Sequence, residues 1–319
     1  MHEIEKLPDG TYCMAYSGDV PWHGLGESVS NELTPAQMLK RAHLDWTVEK
    51  VPAFITYKGK KILTGQEALV RSTDGKLLSN VSPDWEPNQN ADAFAFFDEF
   101  VEEGDMEMHT AGSLNEGRMV WALAKVKESF TIFGKDKIES YLLFSNPHQY
   151  GKSIDIRFTP IRVVCNNTLT LSLSGRADLM VRLSHRNVFD ADRVKETLGV
   201  ASVKLNKYKE MAQFLGSKAY KPSQLVEYLM TVFPSSSNKK RKEGILSRPA
   251  KIAHDIVGTQ PGAEFAPGTF WSAFNAATFT IDHLLGHNDN NRLFSSWYGV
   301  NRKKKLEALE TAVEMANAA

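Results

Sequence analysis

Cysteine is almost missing from this chain: Cys13 and Cys165 are the only two in 319 residues. With no stapling pattern and no cysteine/histidine run at zinc spacing, a disulfide scaffold and a zinc module are excluded, and a reducing compartment is expected. Net charge is missing too, since 38 basic residues balance 38 acidic ones. Coating of nucleic acid by bulk charge is therefore excluded, while local basic patches are not. No run approaches the ~18 apolar residues that span a bilayer. The opening MHEIEKLPDG is charged and already turns at Asp9-Gly10, unlike the apolar stretch of a signal peptide. These absences lead to the expectation of a cytoplasmic protein without a membrane segment. Phosphate-cradling glycine patterns are also lacking. HGLG (23–26) and TAGSLNEG (110–117) match neither GxGxxG nor GxxxxGK[ST], so their glycines are assigned to turns and no nucleotide cofactor is expected.

What is present is an ordinary globular composition, 42% apolar and 24% charged, enough to fill a sizeable core. TPAQMLKRAHL predicts a helix capped by Thr34 with Pro35 in its first turn. WTVEKVPAFITYKGKKILTG predicts a hairpin turning at Lys58-Gly59-Lys60, KLLSNVS a short strand, and residues 90–104 a second helix. In the centre, MHTAGSLNEGRMVWALAKV predicts strand, turn at 115–117, strand, and two more strands flank a loop at 146–151. After Gly175 the pattern becomes helical, with a Ser-rich, basic loop expected at 234–251 and helices over 268–285 and 302–319. No internal repeat is visible. The predicted class is α+β: a central antiparallel sheet backed by helices with a helical C-terminal part. Residues 1–175 are expected to form the sheet domain, and 176–319 a helical region packed on it.

Several groups of residues suggest chemistry. Cys165, with His148 or His185 as base and Asn166 or Asn167 as orienter, has the residue types of a thiol nucleophile. A cysteine inside RVVCNNTL is more simply a small buried hydrophobe. His283 and His287 stand four apart, but the glutamate of HExxH is absent and Gly286 interrupts the helix, so no metal is assigned. The acids between 98 and 109 resemble a two-metal set, yet most fall on the polar face of a helix and in its exit loop.

The cations are notable by position. Arg157 and Arg162 stand in central strands, Arg118 begins another, and Lys58, Lys60 and Lys61 crowd a hairpin tip. Lys239, Lys240, Arg241 and Lys242 fill the basic loop, and Arg302, Lys303, Lys304 and Lys305 open the last helix. In residues 150–159 the alternation puts Ile154, Ile156 and Phe158 on one side of a strand and Asp155, Arg157 and Thr159 on the other. Cations aligned on an exposed sheet, with aromatic neighbours such as Tyr57 and Tyr150, suit an unpaired polynucleotide. The competing explanation is that hairpin tips and helix starts are charged because water is there.

A set of motifs then narrows the choice: PWHGLG (21–26), LDWTVE (44–49), TAGSLNEGRMVWALAKV (110–126), YLLFSNPHQYGKSIDIRFTPIRVVCNNTL (141–169) and GTFWSAFNAATFTIDH (268–283), with LFSSWYGVNRKKKLEALETA (293–312) after it. In this order and spacing the chain resembles the phage/plasmid-like proteins grouped as domain of unknown function 932. The resemblance implies a phage, prophage or plasmid origin and supplies no catalytic residues. At the level of fold the chain is also similar to the ring-forming single-strand annealing proteins of phage recombination. That likeness implies an oligomeric protein binding single-stranded DNA through Arg157, Arg162, Arg118, Lys58, Lys60, Lys61 and the 239–242 cations, promoting annealing without metal or nucleotide. The alternatives are a nucleic-acid-directed hydrolase using Cys165/His148 or the 98–109 acids, and a phage protein that binds a host protein.

Overall fold

A computed structural model describes residues 4–18, 24–162, 180–183, 185, 201–236, 244–285 and 292–319. The fold is α+β. A seven-stranded sheet has the order β10-β9-β8-β7-β6-β1-β2, and a three-stranded sheet the order β3-β4-β5. The larger sheet contains β1 (Met14–Ser17), β2 (Glu27–Val29), β6 (Met106–Leu114), β7 (Met119–Ile132), β8 (Asp136–Pro147), β9 (Ile154–Arg162) and β10 (Met180–Leu183). It is mixed rather than purely antiparallel, because β1 and β2 run parallel. The smaller sheet comprises β3 (Val48–Tyr57), β4 (Lys60–Arg71) and β5 (Leu77–Val81), paired antiparallel throughout.

The helices are α1 (Pro35–Arg41), α2 (Asn90–Ala95), α3 (Asp98–Glu102), α4 (Ala201–Ser217), α5 (Pro222–Val232), α6 (Arg248–Ile256), α7 (Phe270–Phe279), α8 (Arg292–Tyr298) and α9 (Val300–Asn317). Local chemistry explains several boundaries. Thr34 accepts from the Gln37 amide while the Gln37 side chain accepts from the Thr34 amide, a reciprocal cap that starts α1. Lys58 and Gly59 both adopt positive φ, 49° and 77°, which matches the tight turn of a two-residue hairpin.

Three expectations need revision. The helix expected over 90–104 is split at Phe96 and Phe97. Successive helical residues point about 100° apart, and these two rings must both bury; they do so against Phe144, with centroids 5.5 and 6.0 Å away. The expected loop at 234–251 contains the start of α6, because Ser247 caps it by accepting from the Ala250 amide; residues 237–243, with Lys239, Lys240, Arg241 and Lys242, lie outside the described residues. The helix expected over 268–285 ends in a wide turn at Thr280–Leu284, where the Leu285 amide donates to the Thr280 carbonyl. That turn carries Asp282 inward, where Lys305 Nζ donates to it at 2.9 Å and Ser296 Oγ at 2.8 Å. Lys305 is thereby buried in the protein rather than part of a basic surface.

The compact units are not two consecutive stretches. One comprises Met1–Lys127, Tyr141–Phe158 and Gly175–Gly199; the other Glu128–Ser140, Thr159–Ser174 and Val200–Ala319. The first unit's core holds Trp46, Trp85, Trp121, Phe94 and Phe97. Its Arg71, at the base of β4, ties the smaller sheet to the N-terminal segment: Nη1 donates to Glu5 at 2.7 Å, Nε to Asp74 at 2.9 Å, and the guanidinium lies over Trp46. The second unit packs Trp271, Tyr208, Tyr228, Phe270 and Phe274. There Gly216 leaves room for the Phe133 ring, which a Cβ would meet at 2.1 Å.

Candidate nucleic-acid interface

The outer half of the β3–β4 hairpin is a two-stranded ribbon open to water on both sides. Registered pairs assign its faces. Phe54↔Leu63 and Thr56↔Lys61 share one side; Ile55↔Ile62 and Tyr57↔Lys60 share the other. All eight residues are exposed, Leu63 by 73%. Lys61 Nζ sits over the Phe54 ring, 4.5 Å from its centroid, and Lys58 Nζ over Tyr57 at 5.3 Å. The tip thus combines three ammonium groups with two open aromatic faces. Where the ribbon joins the body, the register shifts between Pro52 and Phe54, Thr64 Oγ1 donates to the Ala53 carbonyl, and Gly65 takes φ 75°. Such irregularities increase local twist and re-aim the strands beyond them.

The central-strand arginines behave differently. Arg157 is 3% exposed, and its Nε donates to Asp155 Oδ1 at 2.9 Å while Nη2 pairs with Oδ2. Asp155, two residues back, shares its side of β9, so the strand is buried on both sides, Ile154 and Ile156 filling the other. The expectation that Arg157 projects into solvent is corrected: a guanidinium taken from water is kept beside a carboxylate, because an unpaired buried charge costs too much. Arg118 is half-buried and donates from Nε to the Leu78 carbonyl at 2.8 Å. Arg162 ends β9, and its side chain lies outside the described residues, as do Cys165, Asn166, Asn167, Arg176 and Arg186. The structure therefore brings together Lys58, Lys60 and Lys61, and does not bring Arg157 to them.

The groups considered for catalysis are placed as follows. His148 is wholly buried, with its Nε2 2.9 Å from Asn90 Oδ1, and burial pushes its pKa down to about 3. His185 stacks on Trp85, ring centroids 4.1 Å apart, its Nδ1 donating to the Glu86 carbonyl; burial lowers its pKa to about 4. Both are neutral at physiological pH and enclosed among asparagines and tryptophans. Burial raises the Cys13 thiol to about 12, which leaves it a packing residue. Among the acids, burial and the neighbouring Glu102 raise the pKa of Asp98. No group of three or more histidine, cysteine, aspartate or glutamate side chains able to hold a metal exists among the described residues, and no helix there is long and apolar enough to cross a membrane.

Residues 77–307, well over half of the chain, match the family described as a domain of unknown function (DUF932). The chain belongs to the DUF932 family. Comparison with curated proteins and with solved structures returns no match. In this DUF932 protein the Arg157–Asp155 pair lies inside the matched segment, whereas the exposed ribbon precedes it.

The exposed apolar side chains of the ribbon are what reading by period missed. The signal was available in FITYKGKKIL: Phe54-Ile55 and Ile62-Leu63 are adjacent apolar pairs flanking the turn. A strand with one wet side alternates, so adjacent apolar residues beside a tip rich in lysine mark two faces of equal character.

Proposed function

We propose that this protein binds single-stranded DNA and promotes strand annealing or recombination in a phage or plasmid setting, with the tip of the β3–β4 ribbon as its contact element. The observation that carries the proposal is the cluster of Lys58, Lys60 and Lys61 around the exposed rings of Phe54 and Tyr57. Ammonium groups neutralise phosphates without reading sequence, and open rings accept unpaired bases of any identity. That combination suits a protein handling any complementary pair of strands. Arg118 is the secondary contact on the body of the same unit, and Arg157 has no part in binding.

The test is fluorescence anisotropy with a labelled mixed-sequence oligonucleotide, single-stranded and duplex, at two salt concentrations. Three neutralised phosphates predict an affinity loss of roughly 20-fold between about 50 and 200 mM salt. Lys58→Ala/Lys61→Ala should flatten that dependence, and Phe54→Ala should weaken binding to the single strand more than to the duplex. Salt-independent binding, no binding, or indifference to the lysine changes overturns the reading. If binding holds, the rate at which complementary oligonucleotides pair in the presence of the protein tests annealing itself.

A further inference from the structure

The side of the three-stranded sheet that turns away from the core is apolar and uncovered among the described residues. Alternation along the registered strands puts Val51, Ile55 and Tyr57 of β3, Ile62 of β4 and Leu77 of β5 on that side, opposite the buried Val48, Leu69 and Arg71. These five large side chains are 38%, 56%, 59%, 45% and 49% exposed, and Ala68 and Val70 lie between them, half-buried. A contiguous apolar surface of this kind marks a site of association.

Charge decides what covers it. Lys60 sits at the tip end of this side and Glu49 at the base end; both are exposed, and neither has an ion-pair partner among the described residues. Eight residues of strand from Glu49 to Tyr57, the cross-strand neighbour of Lys60, separate the two charges by about 26 Å. The face is therefore cationic at one end, anionic at the other and mainly apolar between, with Tyr57 as its one ring and Asn80 of β5, opposite Ala68, as an exposed polar neighbour. That pattern is complementary to itself when one copy is turned end for end. Apart from Tyr57 at its tip end this face offers no ring on which a base stacks, and one lysine is too few for a polynucleotide track, so the chemistry of its larger part differs from that of Lys58, Lys61 and Phe54.

We propose that a second copy of this chain packs face to face on this surface about a two-fold axis. Lys60 of each copy then meets Glu49 of the other, and Ile55 and Ile62 meet the Val51–Ala68 region. Two sheets packing in this way bury both apolar faces, Tyr57 and Lys60 included, and leave Lys61, Phe54 and Lys58 free on the opposite side and the turn, so the dimer and a bound strand compete for Tyr57 and Lys60. A ten-residue ribbon is about 33 Å long and three strands span about 10 Å between outer axes. A footprint of that order, roughly 330 Å² on each copy, lies below the standard size of specific interfaces, so the dimer is a weak one that exchanges with monomer near the upper end of the micromolar range.

Sedimentation velocity of the full chain without nucleic acid, over about 1–100 µM, tests this. The weight-average mass should rise from one chain towards two. Ile62→Asp should weaken association at least tenfold. Lys60→Glu and Glu49→Lys should each weaken it several-fold, and the two combined in one chain should restore it. The charge variants alter exposed residues only, so they remain informative should Ile62→Asp disturb folding. A chain that stays monomeric throughout, or a dimer indifferent to Ile62→Asp, overturns the proposal. Charge variants that weaken association singly but fail to restore it together overturn the end-for-end packing.

Discussion

Two regions of the first unit place cations in β-strands and reach opposite results. In β9, Arg157 is enclosed and its guanidinium is spent on Asp155. In the ribbon, Lys58, Lys60 and Lys61 stand in water with no carboxylate of the described residues paired to them, two of them resting on aromatic rings. The difference follows from what surrounds each strand. β9 lies between β8 and β10 in the seven-stranded sheet, so its charge must be neutralised locally. Among the described residues the ribbon has neither a neighbouring strand nor a covering helix at its tip, so its charge is left for something else. A cation in a strand thus says little about function until its burial is known.

The sharpest way to break the comparison is to remove the buried cation. Arg157→Ala should cost about 3–5 kcal/mol, because Asp155 is left charged and enclosed. Denaturant unfolding followed by circular dichroism measures it. Replacing the pair together, Arg157→Met with Asp155→Leu, should recover most of that loss, since an apolar pair of similar volume needs no neutralisation. If the double variant is as unstable as the single, the pair is holding something besides itself.

Acid sharpens the contrast in the same unit. His148 and His185 have folded pKa values of about 3 and about 4, below their ordinary value of 6.5. The unfolded chain therefore takes up protons first as pH falls. Stability should be fully present above about pH 6.5 and decline below it, by about 1.4 kcal/mol per pH unit for each histidine down to its folded pKa. Thermal melts from pH 7 to 4 show this, and His148→Gln should flatten the slope. Smallest in stability is the change at the tip: Lys58→Ala/Lys61→Ala should move it by no more than about 0.5 kcal/mol. The same variant is expected to lose oligonucleotide binding, so one double substitution separates the two kinds of cation.

Much of the architecture is readable from residue pattern. The reciprocal cap at Thr34 and Gln37, the Lys58-Gly59 turn and the long strands around residues 115–117 all follow from local chemistry, which acts over a few residues and leaves a mark in sequence. What escapes depends on distant neighbours. Phe96 and Phe97 break a helix because Phe144, far along the chain, receives both rings. A widened helical turn carries Asp282 to Lys305, which sequence alone would count among exposed cations. Arg157 reads as solvent-facing because alternation distinguishes two sides of a strand without telling which of them is wet. The lysines of the hairpin tip are legible as a cluster, since a tight turn is exposed almost by necessity.

Pro52 in β3 has a quieter consequence. β3 is the outer strand of its sheet; Gln89 caps its edge at Val48, and an outer strand left uncovered beyond that point, beside an apolar ribbon, invites further chains to zip on, one after another, into fibres. Proline has no amide hydrogen to offer, and the irregular register that follows it interrupts any ladder that begins. Growth by lateral strand addition is stopped at that residue, so stickiness on the broad side of the ribbon does not become runaway polymerisation along its rim.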